Sequence, residues 1–352
     1  MAQESLDTVQ NPDGIIPVFL NADNGYAMQT YITVFSMMYN YKGAANIDVY
    51  ILNADGFSKK NEALLHSLEG RFDKLSLTVL HMDNKYDNVD IEQAYISNAS
   101  MHRLEIPRIV ENMPDSRIEK CIYLDCDLVV EGDISELYHE DISGYYVGGV
   151  ADPMQVIRKY RKHPQRIGIP DLKQYINSGV MLMNVKAINA EPAIREKLET
   201  AELREELLYK DQDAINIAFY GGIKLLNFKY NVFPVVVSKN EEWFFDLYGK
   251  QNMIESRDNP FIVYYISLLK PWIYTTEYLA RRWWRYMKMQ NKTIRREYVR
   301  PFIKENKRLS FVDTLLLAIR GRLRSTGRYY ELLREKNQYI LRINERLEKY
   351  DS

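Results

Sequence analysis

Ile15 to Leu20 is an unbroken apolar run, and the polar string Asn21-Ala22-Asp23-Asn24-Gly25-Tyr26 closes it. Beyond that string, apolar positions return at helical spacing over Ala27 to Tyr41. The alternation repeats: a strand pattern at Ile47 to Leu52, a helix at Ser58 to Leu68, and a strand at Leu75 to His81. Strands and helices alternating at these lengths predict an α/β fold with a mostly parallel sheet covered on both faces by helices. Ligands of such sheets sit beyond the carboxyl ends of the strands, where Asp23, Asn24 and Tyr26 fall. An Asx-rich turn without a ligand explains the same loop.

A helix is expected from Asn98 to Glu111, carrying Arg103, ahead of the apolar run Cys121-Ile122-Tyr123-Leu124. That run ends in Asp125 and Asp127. On a strand these two would project from one face while Cys126 turns away. Two carboxylates held so close repel unless a cation sits between them, and oxygen-only donors favour magnesium or manganese. An acidic surface turn is the alternative.

Asp133 to Tyr138 has the pattern of a short capped helix, and Tyr145 to Val150 that of a strand leading to Asp152. The basic, proline-punctuated stretch Pro153 to Asp171 predicts an active-face loop. Asn177-Ser178-Gly179 opens a strand over Val180 to Val185. A helix from Ala193 to Leu208 then precedes Asp211-Gln212-Asp213, placed as an N-cap to Ala214 to Tyr220.

With 352 residues and 46% hydrophobic content, the chain can bury one large core. Glu4 and Asp7 stand where a secretory signal would be positive, and Phe261 to Leu269 is too short to span a bilayer. Cys121 and Cys126, expected on opposite faces of one strand, suit a reducing cytosol. Net charge is −1 overall, yet residues 276–352 hold 20 Lys and Arg against 9 Asp and Glu. The expected organisation is an extension over 1–14, a catalytic domain over 15–275 and a basic helical tail over 276–352.

Read in order, Asp23-Asn24-x-Tyr26, Arg103, Tyr123-Leu124-Asp125-x-Asp127, Asp152, Asn177-Ser178-Gly179, Asp211-Gln212-Asp213 and Lys270-Pro271-Trp272 resemble glycosyltransferase family 8. Its members are retaining transferases of the Rossmann-like GT-A fold, among them bacterial lipopolysaccharide galactosyl- and glucosyltransferases. The resemblance implies a UDP-hexose donor whose diphosphate is held by manganese or magnesium on Asp125 and Asp127. It also implies that Asp23, Asn24 and Tyr26 grip the nucleoside, with Tyr26 stacking on uracil. Arg103, Asp152, Asn177, Gly179 and Asp211 would hold the donor sugar, and Lys270 the diphosphate. Gly179, lacking a side chain, would let the ligand approach the backbone. Gln212 is expected near the anomeric carbon. An amide is a poor nucleophile, so same-face substitution is favoured over a covalent intermediate on Asp211.

The family pattern places a histidine six residues before the Lys-Pro-Trp lysine as the third metal ligand; here that position is Tyr264. A phenol is a weak ligand at neutral pH. Read without the resemblance, Arg103 is a solvated helix residue, Asp211 and Asp213 are helix-start acids, Trp272 is core, and the five histidines are structural or surface residues.

The tail interleaves cations with aromatics at Arg281-Arg282-Trp283-Trp284-Arg285-Tyr286, and sets Leu315, Leu316, Leu317 and Ile319 beside Arg320, Arg322 and Arg324. That mixture predicts a helix lying on an anionic membrane surface. The resemblance implies attachment at the inner membrane, so the expectation is a cytoplasmic protein peripheral to the inner face of the plasma membrane. Near-heptad apolar spacing from Tyr329 to Tyr350 fits a packing or homodimerising helix equally well. Nucleic acid is a poorer partner, since no recognition motif accompanies the charge. The expected acceptor is a glycan or a lipid-linked glycan. A self-glucosylating protein and a non-catalytic sugar-nucleotide-binding module are the alternatives. A pyrophosphorylase is disfavoured, because no glycine-rich basic loop follows the first strand.

Overall fold

The computed structural model describes residues 14–83, 98–114, 116–156, 162–201, 207–238, 242–266, 270–273 and 278–306. The chain divides into two compact units, residues 1–89 with 98–264, and residues 90–97 with 265–352.

In the first unit, β1 (Ile15–Asn21), β2 (Asn46–Asn53), β3 (Leu75–His81) and β4 (Cys121–Leu124) lie parallel in a seven-stranded sheet. β6 (Val147–Ala151), β7 (Ile176–Met183) and β8 (Ile223–Leu225) complete it, in the order β3-β2-β1-β4-β7-β6-β8. Only β7 runs against the rest, pairing antiparallel with both β4 and β6. Val18, Phe19 and Leu20 are fully buried, which is why β1 reads as a continuous apolar run rather than an alternating one. The sheet reverses its order at β1, with β2 on one side and β4 on the other, and the crevice of an α/β sheet opens at such a reversal.

The acid pair is not on a strand. β4 ends at Leu124, and Asp125, Cys126 and Asp127 form the turn into β5 (Leu128–Val130), which leaves the main sheet to pair antiparallel with β9 (Ile262–Tyr264). Helix Ala27–Asn40 straps this turn down. Thr33 Oγ1 donates to the carbonyls of Cys126 and Leu128, and Ser36 Oγ accepts from Val130 N at 3.0 Å. Both cysteines are buried and unpaired.

Three further local expectations change. The stretch expected as one helix from Asn98 to Glu111 is a 3-10 helix over Asn98–Glu105 followed by an α-helix over Ile106–Asn112, whose second residue is Pro107. Asn177, Ser178 and Gly179 lie inside β7 rather than ahead of it. The helix bearing Asp211, Gln212 and Asp213 begins at Lys210, so the three sit in its first turn instead of capping it. The stretch 315–324 and the heptad-like stretch 329–350 lie outside the described residues.

In the second unit, helix Ala280–Lys288 carries most of the aromatic string expected at a membrane surface. Trp283 is fully buried, with ring centres 5.4 Å from Trp272 and 5.9 Å from Phe302. Tyr286 is buried too, and Trp284 Nε1 donates to the Pro271 carbonyl at 2.8 Å. These aromatics are core, which removes Trp283 and Tyr286 from the interfacial reading. No helix of the described residues is long and apolar enough to cross a membrane.

Candidate active site

Two side-chain networks meet on β7. The first is built around Arg103, 5% exposed rather than solvated. Its Nη2 pairs with Asp125 Oδ1 at 2.8 Å and its Nε with Asp211 Oδ2 at 3.1 Å, while Nη1 donates to the carbonyl and hydroxyl oxygens of Ser178. Its guanidinium lies 4.6 Å from the Tyr123 ring centre. Burial alone would make the guanidinium easier to deprotonate; Asp125 and Asp211 outweigh it and hold the charge more firmly than usual. The Asp211 carboxyl is raised, by burial first and against the pull of Arg103. Asp211 also receives hydrogen bonds from the Ser100 and Ser178 hydroxyls.

The second network surrounds Gln212. Its Nε2 donates to Asp152 Oδ2 at 3.1 Å and to the Tyr175 hydroxyl at 3.2 Å, and its Oε1 accepts from Asn177 Nδ2 and from Ser178 N, both at 3.1 Å. Asn177 Nδ2 also reaches Asp152 Oδ2, and Asn177 Oδ1 accepts from Gly179 N and Asn231 Nδ2. Asp152 is raised by burial, which its hydrogen bonds from Met154 N, Asn177 and Gln212 offset in part. Behind Gln212 lies Asp213, fully buried as an acceptor for Tyr175, His163 and the Leu208 and Tyr209 amides.

Arg103, Asp125, Asp152, Asn177, Asp211 and Gln212 are therefore assembled by the fold, with Ser178 joining the two halves. Asp23 caps the turn over Asn24–Tyr26 by accepting from Tyr26 N at 3.0 Å. The Asn24 amide oxygen is taken by Ser58 N and Asn61 Nδ2, each at 2.8 Å, so this side chain ties its turn to the N-terminus of helix Lys59–His66. The Tyr26 phenol is raised by burial and then by the charge of Asp127. Gly179 does not leave room for a ligand as expected. A Cβ there would lie 2.3 Å from the Tyr264 ring, so the absent side chain accommodates that ring. Lys270 lies in the second unit, where its Nζ donates to the Tyr265 carbonyl at 2.6 Å.

The sequence reading missed Tyr175 and Asn231, which carry no periodic signal. It named Ser178 only within its motif with no role, and His163, read as structural or surface, is indeed a buried support for Asp213. It also missed Asn21 at the end of β1, buried with both amide atoms lacking a hydrogen-bond partner. A buried amide left unpaired is costly.

The sequence profile described as Glycosyl transferase family 8 matches residues 17–276, most of the chain. The chain belongs to glycosyltransferase family 8. It is 26% identical over 273 residues to General stress protein A of Bacillus subtilis (strain 168), covering 76% of this chain and 91% of that protein. It is 27% identical over 271 residues to the lipopolysaccharide 1,2-glucosyltransferase of Escherichia coli (strain K12), covering 74% of each. A solved structure of the galactosyltransferase LgtC, in complex with donor and acceptor sugar analogs, superposes with a TM-score of 0.64 at 22% identity, over 80% of this chain and 99% of that one. That likeness identifies the sheet and its flanking helices as the GT-A fold.

Enzymes of family 8 typically use a divalent metal, which makes the acid pair the place to test. Asp125 Oδ1 accepts from Arg103 and from the Tyr123 hydroxyl, and Asp125 Oδ2 accepts from the Tyr264 hydroxyl. Tyr264 therefore presents a proton where a ligand would present a lone pair. Its phenol is held well above the ordinary tyrosine value, by burial and then by Asp125 and Asp127. Among the described residues no group of three His, Cys, Asp or Glu is arranged to hold a metal. As arranged, these residues do not fit the expected manganese or magnesium site, because Asp125 is committed to three donors and the third position is a proton donor.

Proposed function

We propose that this family 8 member transfers a hexose, galactose or glucose, from a UDP-sugar to a glycan or lipid-linked glycan acceptor, with retention at the anomeric carbon. The observation that carries the reading is the state of the groups around Gln212. Asp152, Asp211 and Asp213 all lie in or behind the site, and each is engaged by several donors, which makes each a poor nucleophile. Gln212 is a neutral amide held rigidly at the centre. Such a site favours departure and attack on one face of the sugar, with fixed dipoles stabilising positive charge at the anomeric carbon, over a covalent intermediate.

The relatives support this substrate class: one is a lipopolysaccharide glucosyltransferase and another was solved with donor and acceptor sugar analogs. The Tyr264 hydrogen bond favours a second reading, a module that binds the sugar nucleotide without turnover. Calorimetric titration of UDP, with and without manganese, on the wild type and on Asp125→Asn/Asp127→Asn separates them when followed by UDP release from UDP-galactose and UDP-glucose. Binding with slow UDP release supports the transferase; binding without release supports the module; no binding under either condition overturns both.

A further inference from the structure

Gln212 is held at four points, and the chemistry of two of them dictates which way its amide stands. Ser178 N can only donate, so the amide atom 3.1 Å from it is the oxygen. On the other side the argument runs through a chain of groups. Asp213, acceptor-only when ionised, lies with Oδ1 2.6 Å from the Tyr175 hydroxyl, so the single phenolic proton points at Asp213. Tyr175 then offers Gln212 only a lone pair, and the amide atom 3.2 Å from it must be the nitrogen. Asp213 is kept as an acceptor by His163 Nε2 and the Leu208 and Tyr209 amides, all at 2.8 Å from Oδ2. Its carboxyl sits below the usual range; burial works against this, and His163 and the hydrogen bonds prevail.

We infer that Tyr175 and Asp213 are positioning residues that lock the orientation of the Gln212 amide, carbonyl oxygen toward Asn177 and Ser178 and nitrogen toward Asp152. A flipped amide would set its carbonyl oxygen against the Asp152 carboxylate and its NH2 against the Ser178 amide hydrogen. Tyr175 would then have to release Asp213 to donate. The locked carbonyl oxygen is a fixed negative dipole end, and the significance of that for sugar transfer rests on the function proposed above.

Two measurements on the full-length protein test it. In the wild type, the Gln212 side-chain NH2 signals, assigned by their absence in Gln212→Glu, are expected to exchange with solvent at least about tenfold more slowly than those of exposed glutamines. In Tyr175→Phe, which keeps the ring and removes one oxygen, they are expected to shift and to lose that protection. With UDP-hexose, Tyr175→Phe is expected to lower kcat about 10- to 100-fold while leaving KM and UDP affinity within about twofold. A destabilised fold would not produce that split. Fast exchange of the Gln212 NH2 in the wild type, or unaltered signals in a folded Tyr175→Phe, overturns the inference. A wild type that turns over no UDP-sugar defeats the proposed function, while the exchange data still decide the positioning.

Discussion

At the scale of single residues, Tyr264 decides most about this site. Its ring fills the space above Gly179 and its hydroxyl meets Asp125, so one substitution sets both the shape and the donor character of the acid pair. Tyr264→His replaces the proton donor with an imidazole that can offer a lone pair, and removes the hydrogen bond that occupies Asp125 Oδ2. The expected result is manganese affinity, measured by calorimetry in the presence of UDP, higher by about tenfold or more. Unchanged affinity would show that any cation is held away from Asp125. This departure was legible in the sequence as a tyrosine at a histidine position, but not its consequence. That the phenol would point at Asp125, 139 residues earlier in the chain, is a product of β9 pairing with β5. The orientation of Gln212 was equally out of reach: its support comes from Tyr175 and His163, which reach Asp213 across 38 and 50 residues.

At the scale of elements, long buried strands announced themselves and short or special ones did not. β1 was readable because a strand covered on both faces is apolar throughout, and β2 and β3 because buried apolar residues alternate with more polar ones along them, whereas β5 and β9 have three residues each and too little pattern to detect. Nor did periodicity reveal how helix Lys210–Phe219 docks. Asn216 on that helix imitates a neighbouring strand, accepting from Ile176 N at 2.7 Å and donating to the Ile176 carbonyl at 2.8 Å, at the start of β7 where Asn177 and Ser178 follow. Asn216→Ala strips both partners from a buried peptide group and is expected to cost about 2–4 kcal/mol. A urea unfolding midpoint matching the wild type would show that water or a shift of β7 replaces the amide. Because the same helix carries Asp211 and Gln212, UDP-sugar turnover should fall along with stability.

At the scale of the molecule, charge distribution carries the remaining prediction. Residues 276–352 hold 20 Lys and Arg against 9 Asp and Glu, leaving 27 against 39 in the rest. With Trp283 and Tyr286 committed to the core of the second unit, the attraction to a membrane that we propose is chiefly electrostatic, drawn from the many cations of this stretch rather than from an aromatic belt. Such binding scales with anionic lipid and is screened by salt, since the Debye length falls from about 10 Å at 0.1 M to about 3 Å at 1 M. The full chain is therefore expected to sediment with phosphatidylserine vesicles at low salt, to be released by about 0.5 M salt, and to ignore phosphatidylcholine vesicles. Replacing Arg320, Arg322 and Arg324 with Glu should weaken sedimentation without altering UDP affinity. Binding that survives high salt would instead demand inserted apolar groups, and Leu315, Leu316, Leu317 and Ile319, beside those arginines in sequence, would be the first to replace. Failure to sediment with either vesicle would reject the peripheral-membrane proposal and direct the search for a role of the basic stretch to an acidic partner protein.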